Sequence, residues 1–191
     1  MPDIERKIED YIRVTEALSF LGNFSAISPE VLANACERGT AIHAYCDAEI
    51  LGIGIPKIRP DWRGYFDSFL LWHEGKQFLP KPDRLFCDTH GITGEIDGLY
   101  KDGDDIVLFD FKTPLRESKT WCLQLSAYAY LLSLIDIKVT KLIAVKLDKS
   151  GAQPKVYEYE FEFETYVECL NIYKRFFKKK KDDYDESLDY L

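Results

Sequence analysis

Asp97, Asp110 and Lys112 interrupt two stretches that are otherwise mostly apolar, Gly94-Glu95-Ile96-Asp97-Gly98-Leu99-Tyr100 and Ile106-Val107-Leu108-Phe109-Asp110-Phe111-Lys112-Thr113. Residues two apart in a strand share a face, so Asp110 and Lys112 point the same way if the second stretch is extended. Asp102-Gly103 between the stretches is a turn signal, and the whole reads as a β-hairpin. A four-residue loop, Asp102 to Asp105, sets Asp97 opposite Asp110; a two-residue loop makes that pair diagonal and brings Glu95 to face Asp110 instead. Two carboxylates facing each other on a partly buried sheet repel. A divalent cation that prefers oxygen ligands removes the conflict. The ammonium of Lys112 would then stand beside that cation, placed to help activate a water or stabilise developing negative charge. Solvated charges on a surface hairpin are the simpler account of Asp97 alone, but not of Asp-x-Lys on an apolar strand with a partnered Asp thirteen residues upstream.

The elements that would position these groups follow from the chain in order. Residues 4–20 carry Ile4, Ile8, Tyr11, Ile12 and Leu18 at loosely helical spacing. Ser28-Pro29-Glu30 starts a helix, with Ser at the N-cap and Pro at the first helical position, and it runs to about Leu51 before Gly52. His43 lies on it, and a lone helical His is by default a packed or solvated residue. Asp61 is expected to cap a second helix from Trp62 to about Gln77, which carries Trp62, Phe66, Phe69 and Trp72. Arg84 to Asp88 is a short strand candidate. A third helix, about Ser118 to Ser133, is apolar nearly all round, so it is buried; Gln124 and Tyr128, four apart on one face, then require polar partners inside. Lys138 to Leu147 and Lys155 to Phe163 read as strands, the latter near an edge, and a last helix spans about Thr165 to Lys180.

With 46% hydrophobic and 30% charged residues over 191 positions, the composition is that of one ordinary globular domain, expected over residues 1–181. Residues 1–14 are charged and lack an apolar signal region, and no stretch reads as a membrane span, which predicts a cytoplasmic protein without a membrane partner. The five cysteines form no close pair of metal-ligand spacing and are expected to be reduced. The net charge of −8 argues against a nucleic-acid partner only weakly. Residues 182–191 hold five of the acids and no base, leaving −3 on the remainder, and this acidic tail is expected to be mobile.

The order of these segments resembles the PD-(D/E)XK nuclease superfamily, and within it the RecB-like exonucleases common in phages and prophages, over roughly Val14 to Leu147. Val14-Thr15-Glu16-Ala17-Leu18 is similar to the family's N-terminal segment and Arg38-Gly39-Thr40-Ala41-Ile42-His43 to its RGTxxH helix. Gly94-Glu95-Ile96-Asp97 resembles the GxxD strand, Leu108-Phe109-Asp110-Phe111-Lys112-Thr113 the following strand, and Gln124-Leu125-Ser126-Ala127-Tyr128 the QxxxY helix of the RecB-like branch. The resemblance implies a restriction-endonuclease-like α/β (α+β) core, a central mixed β-sheet flanked by helices in the order αβββαβ, with an N-terminal extension and a C-terminal strand plus helix. It further implies Mg²⁺ or Mn²⁺ held by His43, Asp97, Asp110 and the Phe111 backbone carbonyl, with Lys112, Gln124 and Tyr128 as catalytic residues and Arg38 and Thr113 at the DNA. Many relatives carry another acid ahead of the GxxD strand, where this chain reads Arg84-Leu85-Phe86-Cys87; Glu74, Asp83 or no residue fills that role, and Glu95 is a further accessory candidate. The cysteines that hold an iron–sulfur cluster in some relatives are missing, so no cluster is expected.

The implied activity is metal-dependent hydrolysis of phosphodiester bonds, as an exonuclease acting on DNA ends or single strands in recombination, repair or phage DNA processing, with a recombination or single-strand-annealing protein as a candidate partner. The alternative is a catalytically inactive nuclease-fold module that binds DNA or another protein, because a fold does not fix a function.

Overall fold

The computed structural model describes residues 6–22 and 27–178. The acidic segment 182–191, expected to be mobile, lies outside the described residues. The elements run β1 (Ile12–Arg13), α1 (Val14–Ala17), α2 (Pro29–Ile50), α3 (Arg63–His73), β2 (Gln77–Leu79), β3 (Leu85–Cys87), β4 (Ile92–Gly94), β5 (Gly98–Asp102), β6 (Asp105–Lys112), α4 (Thr120–Ser133), β7 (Lys141–Lys146), β8 (Lys155–Tyr159) and α5 (Phe163–Phe176).

Five strands form a mixed sheet in the order β2-β5-β6-β7-β8. Its pairs are antiparallel except β6 and β7, which run parallel and are joined by α4 as the crossover. Strand β8 lies at the edge, as its alternating charged face predicts. A second sheet, β1-β4-β3, is formed by the chain ahead of the hairpin. The mixed α/β architecture expected from the sequence is present.

The period-2 pattern of β6 divides the interior. Val107, Phe109 and Phe111 pack with Ile143 and Val145 against Ile42, Tyr45 and Cys46 of α2 and the aromatic residues of α3. Leu108 joins Leu142, Ala144, α4, α5 and the small sheet on the opposite side. Helix α4 is buried, as its all-round apolar composition requires, with Gln124 and Ser126 among its buried residues.

Helix α2 starts as predicted, the Ser28 hydroxyl accepting from the Val31 N–H at 3.3 Å. Four expectations need correction. Residues 4–20 do not form one helix: the described part is a 3₁₀ turn, β1, the single turn α1 and another 3₁₀ turn. Parallel pairing of Ile12 with Ile92 outweighs a weak helical period. Asp61 does not cap α3, because Arg59 Nε and Nη2 occupy its two oxygens at 3.2 and 3.0 Å. That helix also stops at His73 rather than Gln77, turned by Gly75 at φ 74°, after which Gln77 begins β2.

The fourth lies in the hairpin. Asp102 pairs with Asp105 around Gly103–Asp104, and the register runs to Gly98 opposite Phe109. The loop therefore has two residues but keeps the alignment expected of the four-residue one, which puts Asp97 next in line opposite Asp110. Asp97 is not in the strand, however. Gly94 ends β4 in the small sheet, Gly98 starts β5 in the large one, and Glu95–Asp97 is the crossing between them.

Candidate active site

That crossing decides what Asp97 does. Where a continued β5 would present a backbone carbonyl, the Asp97 carboxylate accepts the Phe111 N–H through Oδ2 at 2.6 Å. Its Oδ1 meets His43 Nδ1 at 2.9 Å. His43 comes from α2, on the aromatic side of the sheet, with its ring edge-on to Phe111 at 6.2 Å. Asp97 thus ties α2 to the end of β6 from outside the strand.

On the face that Asp110 and Lys112 share, β6 meets α4. Lys112 Nζ donates to Gln124 Oε1 at 2.8 Å and lies 2.5 Å from Asp110 Oδ2. Gln124 Nε2 donates to Asp110 Oδ1 at 2.8 Å and to the Tyr128 hydroxyl at 3.3 Å. The buried amide therefore finds its partners in the charged pair rather than in backbone. Asp110 is only 3% exposed, and its Oδ2 lacks an aligned hydrogen bond despite the nearby ammonium. Gly94 makes room for Tyr128: a Cβ there would stand 2.6 Å from the ring.

The electrostatics follow from two carboxylates out of water beside two basic groups. Burial opposes charge on His43, but Asp97 in contact, helped by Asp110, outweighs it and raises the imidazole to about 9. Burial likewise opposes charge on Asp97, yet His43 and the Phe111 N–H hold its carboxyl below the ordinary value. Asp110 moves the other way, pushed up by burial and by Asp97 against the pull of Lys112 and His43. The Tyr128 hydroxyl is driven up by burial and by the Asp110 charge.

These residues lie along one cleft of about 1450 Å³, lined by His43, Asp97, Asp110, Lys112, Gln124 and Tyr128. Phe111 and Thr113 line it as well. Two sequence candidates are not brought there. Arg38 leans over the Tyr65 ring, 5.6 Å from its centroid, because α2 turns that side toward α3. Glu74 caps the C-terminus of α3 and is not among the residues lining the cleft. Asp83 and Glu95 do line it, Glu95 paired with Arg84 at 2.5 Å. Sequence reasoning passed over Lys81, Arg84 and Phe86, which also line the cleft. The alternation of Arg84 and Phe86 with buried Leu85 and Cys87 was the signal that could have found the last two.

Two Asp, one His and a buried carboxylate oxygen without an aligned donor are a donor set suited in kind to Mg²⁺ or Mn²⁺. Among the described residues no three His, Cys, Asp or Glu side chains already converge as a ligand group. His43 and Lys112 instead supply the positive charge that the two carboxylates require. Among the described residues all five cysteines are free, and no helix is long and apolar enough to cross a membrane.

No protein-family model matches the sequence, and no curated protein matches it. In three dimensions the chain is similar to a candidate exonuclease from Eubacterium rectale, at 10% identity and a TM-score of 0.49, over 92% of this chain and 82% of that one. It is also similar to an alkaline exonuclease from Laribacter hongkongensis, at 12% identity and a TM-score of 0.41, over 85% of this chain and 87% of that one. The same exonuclease in complex with dAMP gives 11% identity and a TM-score of 0.42. Likenesses this distant say nothing of what the chain acts on.

Proposed function

We propose that this protein is a metal-dependent nuclease that hydrolyses phosphodiester bonds in DNA, acting from ends or on single strands in the manner of the RecB-like exonucleases it resembles. The observation that carries this is the buried Asp110–Lys112–Gln124 network meeting the His43–Asp97 pair in a single cleft. His43, Asp97 and Asp110, with the Phe111 carbonyl, would hold Mg²⁺ or Mn²⁺. When bound, the metal supplies Lewis-acid polarisation of the phosphate and acidifies a water.

The chain's own groups do the rest. Gln124 fixes the ammonium of Lys112 by accepting a hydrogen bond from it, and with Asp110 Oδ2 alongside this aims the ammonium at the position of a water or a phosphate oxygen. It also holds the Asp110 carboxylate through its amide N–H. Tyr128 is neutral at any ordinary pH, so it acts as a hydrogen-bonding post for Gln124 and not as a base. Burial of Asp110, with Lys112 largely covered beside it, keeps electrostatic contacts strong where charge develops.

The test is incubation of the purified protein with end-labelled linear DNA and Mn²⁺ or Mg²⁺, beside the same DNA as a closed circle and beside a chelator control. Metal-dependent shortening of the linear substrate, with the circle spared, is the expected result. Binding without turnover by the wild type would instead support the inactive-module alternative.

A further inference from the structure

The small sheet has one face in the core and one that follows only in part. Ile12, Ile92, Leu85 and Cys87 point inward. Across the same strands Arg13 and Phe86 both register with Thr93 on the opposite face, where Thr93 of the central strand is itself fully buried and only the flanking side chains reach solvent. Arg84 precedes β3, and Arg6 lies with its guanidinium 5.8 Å from the Phe86 ring centroid. Tyr11 meets that ring edge-on at 5.0 Å, leaving the ring half-buried. Arg6, Arg84 and Phe86 all line the cleft that holds Asp110 and Lys112, so this rim and the reacting groups are continuous.

The arginines here are held by exchangeable partners. Arg84 pairs with Glu95, the guanidinium side chain 22% and the carboxylate side chain 62% exposed, and Arg6 pairs with Asp88 at 2.9 Å, with side chains 47% and 61% exposed. Exposed ion pairs contribute little, so a phosphate can take over the guanidinium while the acid swings into water. An aromatic ring with one arginine over it and another two residues before it in the chain is the combination that a strand with unstacked bases needs: phosphates to the cations, a base to the ring. A duplex offers no free base face, and its bulk opposes delivery of a phosphodiester to a carboxylate only 3% exposed.

We propose that the cleft rim formed by Arg6, Arg84 and Phe86 beside the small sheet is the landing surface for an unpaired nucleic-acid strand, with a base stacked on Phe86, phosphates on Arg84 and Arg6, and Glu95 and Asp88 competing for those arginines. This rests on the nuclease reading, which supplies the polynucleotide, and goes beyond it by assigning the binding residues and the strand state.

The experiment is fluorescence anisotropy of a labelled oligothymidylate against the wild type and variants, in chelator across a salt series, with thermal unfolding run on each protein. Arg84→Gln should weaken binding and reduce the slope of log K against log salt by about 0.7. Phe86→Ala should weaken it about fivefold or more at every salt with the slope unchanged, while Phe86→Trp keeps it. Glu95→Gln should tighten binding, a gain that a merely damaged fold does not produce. If Phe86→Ala unfolds, Arg84→Gln and Glu95→Gln decide the matter. Wild-type affinity in all the folded variants, or tighter binding of a duplex of equal length, overturns the landing surface. Should DNA be cleaved while these variants bind as wild type does, the landing surface falls and the nuclease stands. Should the strand bind through Arg84 and Phe86 with no cleavage in either metal, the nuclease falls and the landing surface stands.

Discussion

The two carboxylates of the cleft sit in different kinds of surroundings. Asp110 is held from nearby in sequence: Lys112 is two residues away and Gln124 fourteen, and all three are largely buried. Asp97 is held from far away, by His43 on α2, fifty-four residues upstream, and by the Phe111 backbone at the end of β6. The first arrangement is assembled whenever β6 and α4 pack. The second depends on how α2 lies across the sheet, and its charge balance rests on a proton that His43 can lose. One half of the site is therefore preformed, and the other can be converted by an incoming cation.

The largest effect that would break this comparison is at Lys112. Lys112→Ala should lower kcat by about 10²–10³-fold, since it removes the donor nearest the reacting groups. It should also destabilise the chelated protein by up to about 3 kcal/mol, because Asp110 is left buried and unpaired. The Lys112→Ala/Asp110→Asn double variant should recover part of that stability and none of the activity. Denaturant unfolding and end-labelled cleavage check both, and a single variant as stable as wild type would show that Asp110 is not held by Lys112.

Metal binding sharpens the other half. His43→Ala and Asp97→Asn should each weaken Mn²⁺ binding by about 10–100-fold or more, measured by calorimetry. Mn²⁺ should raise the wild-type Tm with concentration and those of the variants much less. Equal affinity in all three proteins would place the cation elsewhere.

The proton on His43 gives a signed prediction of smaller size. With a folded value of about 9, His43 is protonated at pH 7, so a ligated imidazole must first release that proton. Apparent Mn²⁺ affinity should therefore rise about tenfold per pH unit from 7 to 9 and flatten above, with close to one proton released per metal at pH 7. Calorimetry in buffers of different ionisation heat measures the release. In chelator the sign is opposite: a raised value contributes stability that is whole below about pH 6.5 and is lost as pH rises through about 9. His43→Gln should remove both dependences.

The smallest effects are at the two candidates that the fold sets aside. Arg38→Ala and Glu74→Gln should leave cleavage unchanged, Arg38→Ala costing only its packing on Tyr65. A loss of cleavage in either would mean the cleft extends further than its lining residues indicate.

What could be read from the sequence follows the two local periods. A strand repeat of two places Asp110 and Lys112 together, and a helical separation of four places Gln124 and Tyr128 together; the all-round apolar character of α4 buries them, so the preformed half was legible almost complete. Asp-Gly at the turn left two registers open, and the fold realises the one that aligns Asp97 with Asp110. Spacing says which residues share a face, but not how a helix is rotated about its axis or where a strand leaves its sheet. Only the packing of α2 against α3 and β6 turned His43 inward and Arg38 onto Tyr65. Only the crossing at Glu95–Asp97, forced by β4 pairing in one sheet and β5 in another, took Asp97 out of the strand and made its carboxylate the partner of the Phe111 N–H. Those are contacts between segments far apart in sequence, where burial and hydrogen bonding across the core overrule the local period.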